Sequence, residues 1–136
     1  MGGKNLISRF PDNFFLFSYT DKNRLKGVFM NSEHRLVICS CPDKHVAKAI
    51  ADKVLRARRA ACVNISAPST SMYWWDDHIH AEEEVLLQIK TTASQLDELF
   101  DLIQTAHPYN VPELIAVSIT EGTHDYLAWI KQVTQS

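Results

Sequence analysis

Between Leu36 and Ile119 the spacing of apolar residues switches from extended to helical and back, twice over, and that alternation restricts the chain to very few architectures. Leu36-Val37-Ile38-Cys39-Ser40-Cys41 is a β-rich run ended by Pro42, and its continuous apolarity predicts a strand buried on both faces. After Pro42-Asp43, two rows recur at helical spacing, Val46, Ile50 and Val54 beside Ala47, Ala51 and Leu55. Basic residues lie between them, so an amphipathic helix is expected to about Arg59, with Asp43 placed to cap its start. Ala61 to Ile65 reads as the next strand, and Pro68-Ser69 as a turn. A hairpin with long arms follows, from Met72 through Tyr73-Trp74-Trp75 to Val85–Lys90, with its break near Asp76-Asp77. Leu96, Leu99, Phe100 and Ile103 fit one helical face, which sets a second helix over Ser94 to Thr105. A strand from Leu114 to Ile119 and a short terminal helix carrying Tyr126, Leu127, Trp129 and Ile130 complete the pattern.

The order is strand, helix, strand, strand, helix, strand, the split βαβ arrangement of ferredoxin-like α+β folds. Both main helices would then lie on one face of the sheet. Trp74, Trp75, Val85, Leu87 and their neighbours supply more apolar surface than two helices on one side can hide, so the sequence predicts self-association. Residues 1–32 show no sustained period. They are expected to be an extension ahead of a single domain over 33–136, with Met30 as an alternative start of translation.

At 136 residues the chain suits one hydrophobic core. Its net charge of -2, from 14 basic and 16 acidic residues, gives no electrostatic reason to bind nucleic acid or an anionic membrane. No apolar run approaches the roughly 20 residues of a membrane span, and Phe14-Phe15-Leu16-Phe17 is too short for a secretory signal. Three cysteines, Cys39, Cys41 and Cys62, are an odd number and too few for a disulfide framework. They favour a reducing compartment, and a cytoplasmic location is expected.

Residues able to do chemistry gather in three places. His107-Pro108-Tyr109-Asn110-Val111-Pro112-Glu113 is pinned by two prolines, which steer His107 and Val111 out of helix and make a rigid corner. His107 is the best single ligand or acid-base group there, although the segment also reads as a stiff turn and nothing more. Cys39 and Cys41 share a strand face with α-carbons about 6.6 Å apart, so two thiolates could meet one metal under strain. Buried cysteine is equally a small hydrophobe. His78, His80, Glu82 and Glu84 share a face of the hairpin, a set that could ligate a divalent cation but that also describes a solvated arm. Phosphate-binding glycine loop, Cys-x-x-Cys and nucleophile elbow are all lacking, and no enzymatic role is expected.

Several segments together carry a resemblance. They are Ala60-Ala61-Cys62-Val63-Asn64-Ile65, Ser71-Met72-Tyr73-Trp74-Trp75, Glu84-Val85-Leu86-Leu87, Ile89-Lys90-Thr91-Thr92, His107-Pro108-Tyr109, Val111-Pro112-Glu113 and Tyr126-Leu127-Ala128-Trp129-Ile130. In this order and spacing, over about residues 34 to 131, the chain resembles the CutA divalent-cation tolerance family. The resemblance implies a ferredoxin-like subunit in a homotrimer, with hairpin strands pairing between subunits. It also implies divalent cations as ligands, copper among them, with Cys39 and His107 as the metal ligands. Ala106 stands where some members have a second histidine, which leaves the shell under-filled. Asp77 stands where members usually have glycine in the hairpin, Asn110 is a further departure in the corner, and Arg59 replaces a usually apolar residue. Two functions follow. The first is a copper-binding protein of metal tolerance. The second is a trimeric signalling or interaction scaffold whose inter-subunit clefts, lined by Tyr73, Trp75, Tyr109 and Glu113, take a small molecule or a protein partner.

Overall fold

The computed structural model describes residues 29–30, by backbone, and residues 33–135, so the expectations for residues 1–28 and 31–32 lie outside the described residues. In chain order the elements are β1 Phe29–Met30, β2 His34–Cys41, α1 Lys44–Arg56, β3 Cys62–Ile65, β4 Ser69–Trp75 and β5 His78–Thr92. A single 3-10 turn, Ala93–Gln95, leads into α2 Leu96–Ala106. Then come β6 Leu114–Ser118, β7 Glu121–Gly122 and α3 His124–Thr134. The central sheet is antiparallel in the order β3-β5-β2-β6, and β4 pairs with the first half of β5 as a long hairpin arm. Phe29–Met30 pairs with Glu121–Gly122 as a separate two-stranded ribbon. The α+β order expected from the hydrophobic spacing is the order observed.

Several boundaries differ from the sequence reading, each for a local reason. β2 begins at His34 because His34 and Arg35 continue the ladder against Thr92 and Thr91. α1 ends at Arg56, not Arg59, because Arg58 turns left-handed at φ 61° and the helix cannot continue through it. Asp43 caps its start as expected, its carboxylate accepting from the Val46 N–H at 2.8 Å. Asp76 and Asp77 close the hairpin with φ 52° and 58°, the mirror-image turn that suits strand twist and that Asp tolerates better than most residues.

β2 and β5 supply the middle of the core: Val37, Cys39 and Cys41 from one, Val85, Leu87 and Ile89 from the other. Above them pack Ala47, Ile50 and Val54 of α1 and Leu99 and Ile103 of α2. Val85 and Leu87 are therefore hidden by the helices. The surplus apolar surface lies instead on the opposite sheet face, at Ile115 and Val117, 51% and 46% exposed, and on the arm, at Met72, Trp74, Trp75 and Ile79. α3 packs near one end of that face, where the His34 imidazole reaches the Leu127 carbonyl at 2.6 Å.

Candidate metal centre

The strand pleat decides where the sulfurs go. Cys39 pairs with Leu87 and Cys41 with Val85, so both side chains point into the helix-covered core, and both are fully buried. The corner after α2 brings the third group. His107 N–H closes the helix on the Ile103 carbonyl at 2.8 Å, and Pro108 then forces extended backbone, which turns the imidazole back over β2. Its Nε2 lies 2.7 Å from the Ser40 carbonyl, between the two cysteines in sequence, and the residue is 7% exposed. The ligand atoms of Cys39, Cys41 and His107 all lie within 4.8 Å of one another. Among the described residues it is the one such group of three or more histidine, cysteine, aspartate or glutamate ligand atoms.

The hydrogen bonds fix the imidazole's tautomer. A carbonyl can only accept, so Nε2 carries the proton and donates to Ser40; the Tyr109 N–H can only donate, so Nδ1 offers its lone pair at 3.1 Å. Both nitrogens are engaged. For His107 to bind a metal through Nδ1 it must release Tyr109, a cost of about 0.5–1.5 kcal/mol for one hydrogen bond.

The two sulfurs are electrostatically unequal. Sharing a proton with Cys41, burial, and the carboxylates of Glu113 and Glu84 all push the Cys39 thiol well above the ordinary range. The same sulfur contact holds Cys41 below its ordinary value, against burial and the charges of Glu84 and Asp43. The carboxylates of Glu84, Glu113 and Asp43 thus oppose negative charge on the pair.

Outward from the sulfurs runs a band of carboxylates and phenols. Glu84, buried at 8% exposure, accepts from the Tyr109 hydroxyl at 3.3 Å. Partial burial and the Glu84 charge push the Tyr109 phenol up to about 12. On the arm, Tyr73 stacks on His80 with ring centroids 5.7 Å apart, and His80 Nε2 is engaged with the Trp75 carbonyl at 3.1 Å. His78 is exposed opposite Trp75, itself 63% exposed, and Glu113 is exposed at the corner. The hairpin residues read as a candidate cation set do not come together as one.

Cys39 and His107, expected as ligands, are brought together. Cys41, which its strand parity with Cys39 marked as a possible second thiolate and equally as a core residue, joins them, although the resemblance did not imply it as a ligand. Two recesses elsewhere, about 390 Å³ beside Glu33, Ser94 and Lys131 and about 500 Å³ between α1 and α2, contain none of the expected site residues.

A family model, CutA1 divalent ion tolerance protein, matches residues 35–133. The chain is 44% identical to Protein CutA of Homo sapiens over 97 residues, 71% of this chain and 54% of that protein. It therefore spans about half the length of that relative. It is 39% identical over 95 residues to the divalent-cation tolerance protein CutA of Salmonella newport, covering 70% of this chain and 83% of the relative. Among solved structures, CutA from Synechococcus elongatus superposes with a TM-score of 0.78 at 29% identity, covering 82% of this chain and 99% of that one. CutA1 from Oryza sativa superposes with a TM-score of 0.74 at 38% identity, over 76% and 95% of the two chains.

Proposed function

The chain belongs to the CutA1 divalent ion tolerance family, and from that premise we propose that it is a copper-binding protein that contributes to tolerance of metal ions. The observation that carries this reading is the convergence of Cys39, Cys41 and His107 within 4.8 Å in a buried corner. Thiolate and imidazole are the ligands that suit copper, whereas carboxylate and water suit magnesium, calcium and manganese. The role is binding, not catalysis. All three cysteines are free thiols, which supports a reducing, cytoplasmic setting.

We read the working assembly as a homotrimer. Supporting it are the exposed apolar sheet face at Ile115 and Val117 and the bare Trp74 and Trp75 on the arm, surface that a lone subunit leaves in water. Sedimentation equilibrium is expected to return three times the chain mass, and a monomer at micromolar concentration would contradict it.

The metal assignment is tested by calorimetric titration of copper into the wild type, Cys39→Ser and His107→Ala. Each substitution should weaken binding by at least tenfold, since even the partners behind metal ligands are worth about 10–100-fold. Unchanged affinity in both variants would remove the site.

A further inference from the structure

We propose that the cation held in this corner is soft and monovalent, copper(I), gripped first by the Cys39 and Cys41 sulfurs, with His107 as a third donor that joins by giving up one of its two hydrogen bonds. The inference rests on the metal-binding reading above and specifies which ion the site selects.

Donor number is the first argument. Three ligand atoms converge among the described residues, two of them sulfur and none of them carboxylate. Zinc in a closed protein site takes four ligands in a tetrahedron and, on two cysteines and a histidine, completes its shell with water that these buried donors do not admit, and copper(II) prefers a tetragonal set of nitrogen and oxygen. Neither is offered here. Copper(I) has a filled d shell, no demand for a tetragonal set, and a preference for thiolate. It accepts the digonal or trigonal arrangement that two sulfurs, alone or with one imidazole, can make.

The second argument is what each donor must give up. Both nitrogens of His107 are already hydrogen-bonded, Nε2 to Ser40 and Nδ1 to Tyr109. The contacts of the sulfurs are weaker, the Cys39 thiol lying 3.7 Å from the Ser40 carbonyl and meeting Cys41, and the protons they carry pass to solvent as the metal's charge takes their place. The sulfur pair is therefore the half of the site that can bind without dismantling the corner. An ion content with two sulfurs can bind first and recruit the imidazole afterwards; an ion that needs more donors cannot.

Geometry is the third. Two sulfurs each about 2.3 Å from one metal stand no more than about 4.6 Å apart, and the three donor atoms here all lie within 4.8 Å of one another. Adjacent positions on one strand face put the α-carbons about 6.6 Å apart, near the upper limit for a disulfide. An extended strand thus holds the two thiols ready to share an ion in preference to closing on each other.

The test uses the full-length protein, reduced and kept free of oxygen. Copper(I) is supplied through a competing chelator, and copper(II) and zinc(II) are titrated separately, for the wild type and Cys41→Ser. The expected result is one tightly held copper(I) per chain, with affinity falling about a hundredfold or more in Cys41→Ser, at or beyond the upper end of what loss of a supporting partner costs. X-ray absorption at the copper edge of the wild-type protein should find two sulfur neighbours, a measurement independent of whether the variant folds. If copper(II) or zinc(II) binds at these residues as tightly as copper(I), the inference is overturned while the metal-binding reading stands. If no metal binds, both fall.

Discussion

The same sequence device appears twice in this chain and ends in a convergence of ligand atoms only once. Cys39 and Cys41 are two apart on β2, and His78 and His80 are two apart on β5, so each pair shares a strand face. At the cysteines a corner from the other end of the fold brings His107 to within ligand distance, and the helices exclude water. On the arm nothing comparable arrives: His80 is occupied by Tyr73 and the Trp75 carbonyl, and His78 faces outward. Period-two spacing makes a face. A third element, placed from far along the chain, makes a centre.

The sharpest way to break this contrast is metal-dependent stability. Copper held at a hundredfold over its dissociation constant should raise unfolding stability by about 2.7 kcal/mol. The gain is expected to vanish in the double variant Cys39→Ser with Cys41→Ser and to survive intact in the double variant His78→Ala with His80→Ala, followed by chemical denaturation with and without metal. Survival in the first and loss in the second would move the site to the arm.

A second contrast sets Tyr109 against Tyr73. Burial and Glu84 raise the Tyr109 phenol to about 12, whereas partial desolvation and Glu82 raise the half-buried Tyr73 phenol on the arm by less. A phenol whose folded value exceeds the unfolded value of about 10 adds stability below pH 10, which is lost as pH rises through 12. Tyr109→Phe should therefore flatten the loss of stability over that alkaline window, and Tyr73→Phe should change it less. Equal profiles from alkaline melting curves would show that Glu84 does not distinguish the two.

The smallest effect is expected at the tip of the arm. Asp77 sits at φ 58°, a conformation glycine adopts without strain. Asp77→Gly should raise stability by about 0.5 kcal/mol in thermal or urea unfolding, the relief of strain being partly offset by glycine's greater freedom in the unfolded chain. Destabilisation would mean that the Asp77 side chain contributes to the turn beyond its backbone.

Much of this was legible in the sequence, because local spacing governs the elements. The alternation of periods located β2, both main helices and the long hairpin, and Pro108 and Pro112 marked the corner. Their ends were less legible where tertiary pairing or a single backbone angle decided them, as with His34 opposite Thr92 and the left-handed Arg58. Cys39 and His107 could be named in advance. Cys41 could not be separated from the core, because a buried cysteine that ligates and one that merely packs have the same neighbours in sequence. The double engagement of His107 was equally hidden, since it depends on a carbonyl 67 residues away.

The most direct measurement of the central claim is the position of copper in crystals of the loaded protein, located by its anomalous scattering. The account predicts a single strong peak per subunit between the sulfurs of Cys39 and Cys41 and beside the His107 ring. A peak at His78 or His80, with none at the sulfurs, would contradict it.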